Sequence, residues 1–368
     1  MPLPLVILSS LMLVLPIEGT AVAAKPLELA GRYVRAITQI NEQHARKSGS
    51  RSEANLARNL PKSARKALTD LLKMKPDVAQ LADALVQAAQ GSLELALIDD
   101  FQRIRQRLRT IDNDRALAIG VARASERVLY LGENGLDEAY LVEFARVFEA
   151  VLDGYREVFG FREWSKVPGK KLRLRIHLEG AITRAPHFAP QFPYHSEIDF
   201  PVIDGESFTS PTARGHFLFY GLCHELGHVI AMWGDRNLEQ DRHAWAHYTG
   251  VVIVDHIAST RSGEKWIGQL RDQRWRSLER LRAEVAGKTP SLADRDGVLA
   301  LFLTLHDAAG PQAIGAAINA IDRSGKTTRI NRVRYYRMEA FRLALLSVVR
   351  DRSKQRTVAE TFARAGIR

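Results

Sequence analysis

Along the first hundred or so residues, apolar side chains return every three or four positions, in the stretches 27–40, 54–72, 78–89 and 93–111. That interval is the turn of an α-helix, so the pattern predicts a helical region with charged, solvated faces between apolar stripes. Basic clusters at Arg46-Lys47 and Arg51 have no interleaved aromatics on which bases would stack, which argues against a nucleic-acid site there. After Ser125 the interval changes. Residues 127–131 are a short apolar run closed by Gly132-Glu133-Asn134-Gly135, the pattern of a strand and a turn. Residues 136–159 return to helical spacing, with Tyr140, Phe144, Val147, Phe148 and Val151 on one side and Gly160 as the stop. Residues 172–178 alternate apolar and polar with period two, as a half-buried strand does. A loop rich in proline and aromatics (186–194) then leads to a further extended segment, 196–203.

The next helix is punctuated at both ends. Ser210 is placed to cap it, Pro211 to occupy its first helical position and Gly234 to stop it, around the apolar stretch 217–233. Further helices are predicted at 238–258, 266–285, 292–308, 311–321 and 333–349. The expected class is therefore α+β and mostly helical. A helical N-terminal region (24–115) precedes a second region (116–368), whose strands and central helix (116–234) are followed by a helical half (235–368).

Composition changes this picture in three ways. With 46% apolar and 26% charged residues in 368, the chain is an ordinary folded protein, neither disordered nor fibrous. Its 53 basic against 42 acidic side chains give +11, which favours encounter with anionic surfaces such as a cell envelope. The apolar run 1–17 followed by Ala21-Val22-Ala23 has the layout of a secretory signal peptide over residues 1–23, although no basic residue precedes Lys25. A secreted or periplasmic location is the expectation. Cys223 is the only cysteine, so the chain can form no internal disulfide and no cysteine-rich zinc site; it is read as a small buried apolar residue.

Candidate chemistry lies within the helix at 217–233. His224-Glu225-Leu226-Gly227-His228 fits HExxH. Positions i and i+4 share a helix face, so both imidazoles can converge on one metal ion, while Glu225, one residue round, can reach water beside it. Zinc suits imidazole nitrogen, and a catalytic zinc keeps three protein ligands with a fourth position open. The metzincin continuation of the motif is absent, because its glycine and third histidine positions are Ala231 and Gly234.

The following helix carries His243-Ala244-Trp245-Ala246-His247-Tyr248. With HELGH before it, the segment resembles the gluzincin metallopeptidases, the thermolysin-like and aminopeptidase-like zincins, whose third ligand lies on the helix after HExxH. The resemblance covers roughly residues 124–257. It implies a small mixed sheet, an active-site helix and a helical lower half, and it puts His243 where those enzymes carry a glutamate, after a shorter spacer. Glu239, Asp241 and His247 are the alternative third ligands. His247, one turn after His243, can orient a ligand, stabilise a developing oxyanion, or simply sit on a solvated face. In such folds an edge strand beside the active-site helix binds extended peptide, which by analogy points to 196–203.

The expected function is an exported zinc metallopeptidase acting on protein or peptide: His224, His228 and His243 hold Zn2+, and Glu225 is the general base, with His247 assisting. The competing expectation is a catalytically inactive zincin-fold binding or assembly protein of the envelope, its basic segments docked on an anionic surface. No nucleic acid is expected as a partner, and neither substrate identity nor oligomeric state is legible. Asp255 and His256 read as structural. Ser324-Gly325-Lys326-Thr327 lacks the first glycine of a phosphate-binding loop, the position being Ala320, and reads as a turn. Arg271, Arg274, Arg276, Arg280 and Arg282, interspersed with acids, read as a solvated face. Tyr335-Tyr336 and Arg337 are candidates to enter the cleft from the helical half.

Overall fold

The helical spacing of the N-terminal region closes into a bundle with a core of its own. In the computed structural model, residues 25–47, 53–132, 136–162, 171–178, 187–189, 197–202, 213–231, 238–261, 277–324, 328–330 and 333–367 are described. The expected signal peptide, Arg51, the helix punctuation at Ser210, Pro211 and Gly234, the glycine-containing part of the 324–327 turn, and Arg271, Arg274 and Arg276 lie outside them.

Helix α1 (Lys25–Lys47) buries Leu29, Ala30, Tyr33, Ala36, Ile37 and Ile40, one stripe at three- and four-residue spacing. The expected continuous helix at 54–72 is instead two, α2 (Glu53–Arg58) and α3 (Lys62–Leu72), divided at Pro61. Proline has no N–H for the helical ladder and disfavours helical backbone in the residue before it, so the break falls there. Helices α4 (Leu81–Leu93), α5 (Ile98–Arg109) and α6 (Asn113–Ala118) complete the bundle. The Asp112 carboxylate caps α6 by accepting the Arg115 backbone N–H.

A small mixed sheet follows. Strands β1 (Val121–Ala124), β2 (Val128–Gly132), β3 (Leu172–Leu178), β4 (His187–Ala189) and β5 (Glu197–Val202) are ordered β1-β2-β3-β5-β4. β1 is antiparallel to β2 and β4 to β5, while β2, β3 and β5 run parallel. Parallel neighbours need a crossover, and α7 (Glu138–Phe159) supplies the one between β2 and β3. Asp137 caps α7, and Gly160 ends it at φ 72°, a conformation glycine adopts without strain. The extended segment expected to form the sheet edge is β5, which lies inside between β3 and β4; among the described residues the edge on that side is β4. β1 escaped sequence reading because four residues are too few to display a period.

On β3, Leu172, Leu174 and Ile176 are fully buried in the core built on α7. One residue of the alternate face is not solvated either. Arg173 is only 5% exposed and donates to the carbonyls of Leu93 and Glu94, at the C-terminal end of α4. A guanidinium there meets carbonyls left without helical partners and the negative end of the helix dipole. Gln102 of α5 adds a bond to the Ala122 carbonyl of β1, so the bundle is fastened to the sheet at two places.

Helices α8 (Ala213–Ile230) and α9 (Leu238–Thr260) pack against α7 and the sheet. The remainder comprises α10 (Leu278–Glu284), α11 (Arg295–Ala309), α12 (Pro311–Ser324), a hairpin of β6 (Thr328–Ile330) and β7 (Val333–Tyr335), α13 (Met338–Val348) and α14 (Arg352–Arg364). Of the helix expected over 266–285, residues 266–276 lie outside the described residues, and the described part begins at 278, where Ser277 is extended and caps α10 through the Arg280 N–H. Residues 333–335 of the helix expected over 333–349 are a strand, since they pair with 328–330. The α7 layer, sheet, α8, α9 and the later helices share one hydrophobic core. Among the described residues, no helix is long and apolar enough to cross a membrane.

Candidate metal centre

Two glycines decide how closely α8 and α9 approach. A Cβ on Gly227 would lie 2.5 Å from Thr249 Oγ1 and 2.9 Å from Ala246 Cα, and one on Gly250 would lie 3.1 Å from the backbone N and Cα of His224. At Gly227 only a hydrogen fits, and at Gly250 a Cβ would press the α8 backbone back by a few tenths of an ångström. Trp245 Nε1 donates to the Gly227 carbonyl at 3.0 Å, and the Tyr155 hydroxyl donates to the Cys223 carbonyl at 2.6 Å, pinning α8 from both sides. Cys223 is itself fully buried, and burial holds its thiol protonated, far above its ordinary pKa.

This close approach brings three imidazoles together. Ring centroids are 4.9 Å apart for His224 and His228, 5.8 Å for His224 and His243, and 5.1 Å for His228 and His243. One ring nitrogen from each lies within 4.8 Å of the others, so the three could hold a metal ion. His228 is buried, His224 half-buried and His243 exposed, so the cluster faces solvent on the α9 side. Burial, then the neighbouring His228, His243 and His247 and the more distant Arg295, push the His224 pKa well below its ordinary value. The ring is thus held neutral, the form that binds metal.

Glu225 is 8% exposed, and its Oε1 lies 4.0 Å from His224 Nε2. Its carboxylate therefore stands beside the ring nitrogen turned away from Tyr220, because His224 Nδ1 is engaged by the Tyr220 hydroxyl at 3.0 Å. The same hydroxyl is hydrogen-bonded to Nδ1 of His247. His247 is only 2% exposed, which excludes the solvated-face reading, and its Nε2 lies 3.9 Å from Glu284 Oε2 on α10. Tyr220 was not singled out from sequence. Its signal was there in the four-residue spacing of Tyr220, His224 and His228, but an aromatic on an apolar helix reads as core.

The alternative ligands Glu239 and Asp241 lie near the start of α9, and their side chains fall outside what is described. Asp255 and His256 lie farther along α9; His256 Nε2 pairs with Glu157 Oε2 at 3.0 Å, tying α9 to α7. Tyr336 does not enter a cleft: it is 1% exposed and donates its hydroxyl to Asp322 of α12. Arg282 pairs with Asp307 and Arg280 approaches Glu284, both near the surface. Comparison with family models, with curated proteins and with solved structures returns no match.

Proposed function

We propose that this chain is an exported zinc metallopeptidase, similar to the gluzincins, with His224, His228 and His243 as ligands and Glu225 as general base. The observation that carries the reading is the convergence of three imidazoles from two helices beside a nearly buried carboxylate. The donor set fits zinc: three neutral nitrogens suit a tetrahedral site, and the present spacing closes by small side-chain rotations to the ~3.3 Å that zinc–nitrogen bonds near 2.0–2.1 Å impose. An exposed third ligand favours a site with an open position, as catalysis needs, over a sealed structural one.

Bound there, zinc supplies Lewis acidity to water and to a substrate carbonyl. Glu225 takes the proton from the attacking water and hands it to the departing amine. Its low exposure keeps bulk water from competing for that proton. Strand β4, the sheet edge, runs antiparallel to β5 and packs near α8, so an extended peptide can add to it as a further strand.

Metal analysis of the purified chain with a peptidase assay of parent and Glu225→Gln tests this. One zinc per chain and cleavage lost in the variant are expected. Bound zinc without Glu225-dependent cleavage of a broad peptide library would instead leave the non-catalytic envelope binder.

A further inference from the structure

We propose that Tyr220 is a positioning residue that sets the tautomers of two histidines and holds His224 in its metal-binding orientation; the inference rests on the reading of His224, His228 and His243 as a zinc site. One hydroxyl stands between two imidazoles. It is 3.0 Å from His224 Nδ1 and hydrogen-bonded to His247 Nδ1, and both Tyr220 and His247 are almost wholly buried.

A hydroxyl has one proton, so it can donate to only one ring and must accept from the other. Metal on Nε2 of His224 forces that ring's proton onto Nδ1, which then donates to the Tyr220 oxygen. The Tyr220 proton is left for His247 Nδ1, which must accept it. His247 therefore carries its own proton on Nε2, and that N–H faces the Glu284 carboxylate 3.9 Å away. Glu284 is half exposed and also lies 3.9 Å from Arg280 Nε, so the outer end of the chain is its weak end. Reversing the direction would place a proton on His224 Nε2 and block the metal. The two hydrogen bonds through Tyr220 thus have one direction compatible with a loaded site, and both raise the electron density that His224 offers the ion.

Tyr220→Phe removes only the oxygen and keeps the ring that packs 5.6 Å from His224 and 5.7 Å from His247. Zinc affinity, measured by competition with a chromophoric chelator, is expected to fall about 10–100-fold in the variant. Long-range nitrogen–proton NMR of the zinc-loaded parent needs no variant to fold, and is expected to show protons on His224 Nδ1 and His247 Nε2. Parent-like zinc affinity in Tyr220→Phe, or His247 protonated on Nδ1 in the loaded parent, overturns the relay while leaving the metal site standing. A parent that binds no zinc overturns both together.

Discussion

Whether a histidine on α9 is a ligand or a support is decided by which group each ring nitrogen meets. His243 faces His224 and His228 from the exposed side, whereas His247, one turn on, is committed to Tyr220. His243→Ala should therefore lower zinc affinity by more than the roughly 100-fold that marks loss of a supporting contact, and His247 should not replace it. Dialysis against a graded chelator followed by metal analysis checks this; a variant that retains full zinc would transfer the third ligand elsewhere. His306 permits a test away from the metal. Burial lowers its pKa below 6.5, and its Nδ1 meets the Tyr248 hydroxyl at 2.9 Å. Between the folded and unfolded pKa values the unfolded chain binds more protons, so this stabilisation is complete above about pH 6.5 and is lost as pH falls below it. Denaturation midpoints should thus fall on acidification from pH 7 to 5, and His306→Gln should flatten part of that slope.

At the scale of elements, the glycines of α8 and α9 matter more than the apolar pattern that surrounds them. HExxH leaves its third and fourth positions open, yet here the fourth, Gly227, must lack a Cβ for α9 to come within ligand distance. Gly227→Ala would push against Ala246 backbone and should cost about 1–3 kcal/mol, the range for overpacking a tight core. The same separation should weaken zinc binding, so a lowered melting temperature together with reduced zinc affinity is expected. A variant that melts early but holds zinc with parental affinity would show that the helix spacing does not set the site. The long helices were legible because each has several turns over which an apolar stripe repeats. The break at Pro61, the cap at Ser277 and the short strands β1, β6 and β7 were not, since local capping and pairing partners decide them.

Across the whole molecule, two hydrophobic cores meet at the sheet, one in the N-terminal bundle and one around α7, α8 and α9. Arg173 is the clearest fastener between them, with its charge set against helix-end carbonyls. Arg173→Ala should cost about 1.5–3 kcal/mol, the range for hydrogen bonds to a charged group, and should open the connection near residues 110–120 to limited proteolysis. Unchanged melting and an unchanged digestion pattern would show that Arg173 does not fasten the bundle to the sheet. Sequence determined the helical N-terminal region, the α7 and β3 signals, and the His224-Glu225-His228 face, because each is written in a local interval of two, three or four residues. The resemblance of the second helix named His243 as their partner, whereas tertiary structure alone decided that His247 answers to Tyr220, that β5 lies inside the sheet with β4 beyond it, and that Arg173 is buried. Those outcomes depend on which surfaces approach across long sequence separations, and no local periodicity records such distances.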